Sequence, residues 1–189
     1  MSAEAKVSAP RERLLATASE LFYAEGIQAI GVDRLVKDAS VTRATFYRHF
    51  PAKEDLVVAY LRAQHEQIRG GVEAAMAGQG PIEAVHTMLG AFAKASCGPG
   101  FRGCAFLNAA AEYPDPRSAV RAVVREHRGW FHDGLRGRLT EAGHPDPDHA
   151  ATALVLLRDG IMSGGHLDQP ADVQSTVDRL VDGVLAGSC

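Results

Sequence analysis

A chain of 189 residues with 46% hydrophobic and 23% charged side chains is long enough to bury a core and too apolar to be disordered or collagen-like. Its formal net charge of -3 excludes a uniformly basic body, yet the charge is uneven: residues 1–53 carry 8 Lys/Arg against 6 Asp/Glu, and residues 54–189 carry 12 against 17. Three cysteines speak against a disulfide framework, no apolar run approaches the ~20 residues of a membrane span, and residues 1–10 contain no apolar signal segment, so the expectation is a cytoplasmic chain without membrane attachment.

Residues 1–9 read as a flexible arm. A first helix is predicted from Arg11 to Glu25, with Leu15, Ala18, Leu21 and Phe22 buried and Gly26 ending it. Two short helices follow, Val32 to Ala39 and Arg43 to Phe50, joined by Ser40, Val41 and Thr42 in the spacing of a helix-turn-helix. Leu35, Val36, Val41 and Phe46 supply its small core, and Thr42 is placed to cap the third helix through its hydroxyl. Prolines at 51, 81, 99, 114, 116, 145, 147 and 170 then punctuate the chain. Between them apolar residues recur at helical spacing: Val57, Leu61, Ile68 and Val72; Ile82, Val85, Leu89 and Phe92; Val120, Val124, Phe131 and Leu135; Leu154, Leu157 and Ile161; Val173, Val177, Leu180 and Val184. Cys104 to Tyr113 reads as a further short helix. No stretch alternates as a strand does, so the fold class is all-α with about nine helices.

The third helix carries the chemistry. At ~100° per residue, Phe46 and Phe50 share an inward face, which leaves Arg43, Thr45, Tyr47, Arg48 and His49 outward or on the flanks. Hydroxyls, a Tyr OH, Lys53 and a helix N-terminus are groups that grip phosphates. The forked donors of Arg43 suit a guanine edge.

With Ala18, Leu21, Phe22 and Gly26, then Val32-Asp-Arg-Leu-Val36, then Thr45-Phe-Tyr-Arg-His-Phe50 with Lys53, Glu54 and Leu56, residues 11–61 resemble the DNA-binding domain of the TetR family of bacterial transcriptional regulators. The resemblance implies that Arg43 and Ala44 face bases while Thr42, Thr45, Tyr47, His49 and Lys53 hold phosphates. It divides the chain into a DNA-binding domain at 10–53 and a ligand-binding and dimerisation domain at 54–189. It implies a homodimer through the last two helices, about 147–167 and 171–187, on a palindromic double-stranded operator. It also implies a repressor released by a small-molecule inducer, and no cofactor. Ala52 departs from the family, which often has a polar cap there, and Gly31 stands where a Ser or Thr cap is common.

The body is less explicit. His65, His86, Asn108, His127 and Arg158 interrupt apolar stripes, and Phe92, Phe106, Phe131 and Met162 are candidates to line a cavity for a hydrophobic or aromatic ligand. Each of these four has a plainer reading as core, and His127 one as a buried, hydrogen-bonded histidine. Trp130 flanks either the cavity or the dimer seam. Gly160, Ser163, Gly164 and Gly165 either permit close helix approach at a dimer seam or loosen a helix end. Cys97 and Cys104 bracket a loop containing Arg102, which leaves a thiol-responsive regulator of the same fold, or less directly a Cys/His enzyme, as alternatives. No nucleophile motif, phosphate loop or telling pair of acids supports the enzyme. The run from His144 to His149 has metal-ligand residue types without metal-ligand spacing, so no metal is expected.

Overall fold

Pro10, in the first turn where its missing N–H costs nothing, helps open the first helix, whose free N–H groups on Arg11 and Glu12 are met by the carbonyl of Ser8. From there a computed structural model describes residues 8–167 and 173–187. Among these it contains α1 (Ala9–Glu25), α2 (Val32–Asp38), α3 (Arg43–His49), α4 (Lys53–Ala75), α5 (Pro81–Ser96), α6 (Ala105–Glu112), α7 (Ala119–Glu141), α8 (Pro147–Leu167) and α9 (Val173–Leu185). No strand occurs among the described residues. Residues 1–7 of the expected arm, the first two residues of the expected last helix and Cys189 lie outside them.

Contacts divide the chain into two compact units, Met1–Gln64 with Ala105–Val124 and His65–Cys104 with Arg125–Cys189. This differs from a cut at 53/54. The division falls within α4 and α7, and α6 belongs with the helix-turn-helix.

In the first unit α1, α2 and α3 pack on one another. The buried stripe of α1 is Leu14, Ala18 and Phe22, one residue away from the expected face at its start; Leu15 and Leu21 are only half-buried on its flanks. Leu35, Phe46 and Phe50 are buried, with the two Phe rings 6.1 Å apart. Ser40 turns the chain in the left-handed region at φ 51, and the Val41 N–H reaches back to the Val36 carbonyl at 3.0 Å, closing α2 so that α3 can leave at an angle. The missing side-chain cap at Ala52 is offset by Asp55, whose carboxylate accepts the Ala52 N–H at 2.8 Å.

In the second unit α5 packs on α8 and α9, and α8 packs on α9. Two expected core positions are in fact exposed: Ile82 at 45% and Leu180 at 48%, while Met88 and Val181 are buried in their helices. The glycines of α8 also divide. A Cβ on Gly165 would lie 2.4 Å from the Ser96 Cβ, so this glycine serves the α5–α8 crossing within the chain, whereas Gly160 and Gly164 have nothing within 4 Å. Residues His144 to His149 form a helix start. His144 Nε2 donates to the Val184 carbonyl at 3.0 Å, and Asp146 caps α8 by accepting the His149 N–H at 3.1 Å. No helix among the described residues is long and apolar enough to cross a membrane.

Candidate nucleic-acid interface and buried polar cluster

The face of α3 is built by what it does not bury. Phe46 and Phe50 turn inward, and Thr42, Arg43, Ala44, Tyr47 and Arg48 are exposed, with Thr45 and His49 half-buried beside them. Thr42 caps the helix as its sequence position requires, accepting the Thr45 N–H at 3.1 Å. Tyr47 stands edge-on to Phe46 at 5.2 Å, so an apolar contact at its base holds an exposed phenol upright. Arg43 reaches Asp33 of α2 at 3.0 Å; both side chains are more than half exposed, so the pair orients Arg43 and adds little stability. His49 Nε2 lies 3.1 Å from the Ser8 hydroxyl.

Lys53, the remaining residue expected to hold a phosphate, lies at the start of α4. It is half-buried, and its Nζ donates to the Ile27 carbonyl at 2.6 Å. Burial pushes its ammonium below the usual lysine value, with the Glu112 carboxylate pulling the other way. Glu112 carries no mark of its role in the sequence. Its two oxygens accept the N–H groups of Ile27 at 3.0 Å and Gln28 at 2.6 Å. The turn after Gly26 is thus held by an ammonium on its carbonyl and a carboxylate on its amides. Glu112→Ala strands the part-buried Ile27 N–H, leaves the exposed Gln28 N–H to water, and should lower stability by about 1 kcal/mol, whereas Glu112→Gln keeps one acceptor and should lose less; urea denaturation of the three proteins measures it.

The second unit brings together five of the nine residues singled out for a ligand: His65, Phe92, His127, Phe131 and Arg158. All are buried. Arg158 has donors only, so His127 Nε2, 3.3 Å from Arg158 Nη2, must be an acceptor; the proton then sits on His127 Nδ1, which faces His65 Nδ1 at 3.1 Å. Burial, and then the positive charge of Arg158, lower the His127 pKa to about 3, so the ring is neutral. Arg158 Nη2 also donates to Cys104 Sγ at 3.1 Å, so the guanidinium against this thiol is that of Arg158 on α8. Cys97 is exposed and Cys104 buried, both free.

The remaining four stand otherwise. His86 is half-buried and lies 3.2 Å from Asp182, between α5 and α9. Met162 is buried on α8. Phe106, buried, and Asn108, exposed, belong to the first unit. No group of three metal-ligating side chains occurs among the described residues.

Residues 14–60 match the family model described as bacterial regulatory proteins, tetR family. The whole fold is similar to the crystal structure of SCO4454, a TetR-family transcriptional regulator from Streptomyces coelicolor. Identity is 45%, the TM-score is 0.89, and 95% of each chain is covered. It is also similar to a TetR transcriptional regulator structure from Streptomyces avermitilis, 27% identical with a TM-score of 0.81, covering 94% of this chain and 98% of that one. Among curated relatives, 87 residues are 33% identical to the HTH-type transcriptional regulator TcmR of Streptomyces glaucescens, covering 46% of this chain and 37% of that protein. A stretch of 66 residues is 35% identical to the HTH-type transcriptional activator FasR of Mycolicibacterium smegmatis, covering 35% of this chain and 30% of that protein. The matched stretch therefore spans less than two fifths of either curated relative.

Proposed function

We propose, from the premise that this chain belongs to the TetR family of bacterial transcriptional regulators, that it is a homodimeric repressor released from a palindromic operator by a small apolar or aromatic ligand. The observation that carries the reading is the exposed face of α3, where Arg43, Ala44, Tyr47 and Arg48 meet solvent while Phe46 fixes the helix from behind. In this reading Arg43 and Ala44 address base edges in the major groove. Thr42, Thr45, Tyr47 and Arg48 hold phosphates, with His49 and Lys53 at the border of the face.

One such face spans too few base pairs for a unique operator, so a second copy is required. The dimer surface proposed is that of α8 and α9. Leu156 is 65% exposed there, and a groove of about 250 Å³ is lined by Leu157, Gly160, Ile161, Gly164, Val177 and Leu180. The ligand acts by binding one arrangement of the dimer better than another; without that difference it releases nothing.

Selection from a pool of random duplexes tests the proposal. The recovered sites should contain two inverted half-sites about 34 Å apart centre to centre, bound by two copies of the chain. Binding that ignores sequence and only fades with salt contradicts it.

A further inference from the structure

Around Arg158 the second unit sets two guanidinium groups against one carboxylate, with Arg128 and Asp159 partly exposed to solvent. Arg158 is 2% exposed. Its Nη1 lies 3.0 Å from one oxygen of Asp159, and Arg128 Nη1 lies 2.7 Å from the other. Two guanidinium groups therefore share one carboxylate. Nη2 donates to a histidine nitrogen and a sulfur, neither of which brings a carboxylate. Nε is buried and has no hydrogen-bond partner among the described residues. An N–H of a charged group left unpaired in the interior costs free energy unless something completes it. The guanidinium lies among aromatic rings. The guanidinium carbon lies 4.8 Å from the Phe92 ring centroid and 6.0 Å from that of Phe131. The Trp130 ring lies 6.1 Å from Phe131 and 5.4 Å from His65.

We propose that Arg158 is the anchor for the acid group of the effector, and that the second unit takes an aromatic weak acid whose carboxylate accepts from Arg158 Nε while its ring packs against Phe92, Phe131 and Trp130. This rests on the ligand-released reading above and names the class of ligand. The carboxylate supplies the negative charge that Asp159, divided between two arginines, does not. Phe92 and Phe131 offer ring edges and faces to a flat body. His127, neutral and with its one N–H facing His65 Nδ1, offers no donor to the acid. A neutral ligand of the same shape leaves the excess positive charge uncompensated, so the site should prefer an acid over its primary amide by about tenfold to a hundredfold.

The test is calorimetric titration of the full-length protein with 1-naphthoate, 2-naphthoate and biphenyl-4-carboxylate, each beside its primary amide. At least one acid should bind tenfold or more tightly than its amide. Arg158→Met, shown folded by circular dichroism, should lose that margin. Arg158→Lys keeps a cation in the site and guards against a Met variant that does not fold. It should weaken the acid about tenfold and leave the amide unchanged. Equal binding of acid and amide, no binding by any of the acids, or an undiminished margin in the Arg158 variants overturns the proposal. Operator retention with the same compounds separates the two readings. An acid that binds through Arg158 without loosening the operator contradicts ligand release and leaves the acid site standing. An amide that releases the operator as well as its acid upholds release and overturns the acid site.

Discussion

Phe46→Ala should lower the stability of the protein by about 3–5 kcal/mol and abolish operator binding with it. Phe46 is fully buried, lies edge-on to Tyr47 at 5.2 Å and packs near Phe50 at 6.1 Å. The helix it anchors has seven residues, too few to persist on intrinsic propensity, so its geometry is a consequence of this packing. Urea denaturation reads the first effect and fluorescence anisotropy of a labelled operator the second. Tyr47→Ala is the paired control. Its side chain is 46% exposed, so stability should stay within about 0.5 kcal/mol while operator affinity falls. If Phe46→Ala keeps both stability and operator affinity, the helix is not held as described.

The second large effect is a pH dependence centred on His127. Its folded pKa lies at about 3, against 6.5 for an unperturbed ring. Below pH 6.5 the unfolded chain therefore takes up a proton that the folded chain refuses. Stability from this residue is complete above that value and is lost as pH falls, at about 1.4 kcal/mol per pH unit once well below it. Other groups titrate in the same range, so the comparison is with His127→Gln, which keeps an acceptor for Arg158 but takes no proton. Between about pH 6.5 and 4.5 the native protein should lose about 2 kcal/mol more than the variant. Parallel losses across that range would mean that the ring is not held neutral by its surroundings.

Much of the first unit is legible in the sequence because its signals are local. Gly26, Thr42 and the four-residue spacing of Phe46 and Phe50 each act within one helical turn, and α2 and α3 follow from them to within a residue. The face of α1 is less secure. Leu14 and Leu15 are adjacent and equally apolar, and only the packing of Leu14, Ala18 and Phe22 selects between them. The same ambiguity holds in α9, where Val181 rather than Leu180 joins the buried stripe of Val173, Val177 and Val184.

Contacts between distant residues leave no such trace. Glu112 holds the backbone of a turn 85 positions away, and nothing around it marks it as different from a surface carboxylate. It also explains why Lys53 is engaged within the chain. The buried cluster was half legible. His127 and Arg158 stand out as polar residues in apolar stripes, but Arg128 and Asp159, which set the charge balance, look like exposed helix residues in sequence. Gly165 shows the same limit: its small size serves a crossing with Ser96, a partner that periodicity within α8 does not reveal.

If the outer face of α3 reads DNA, Arg43 is the side chain whose loss shows it. Anisotropy titrations should compare the wild-type protein and Arg43→Ala on the selected operator and on operators changed at one base pair per half-site. Arg43→Ala should cost about 1–3 kcal/mol on the operator and stop discriminating at one base pair of each half-site. Wild-type affinity and wild-type discrimination in Arg43→Ala would contradict a DNA-reading α3.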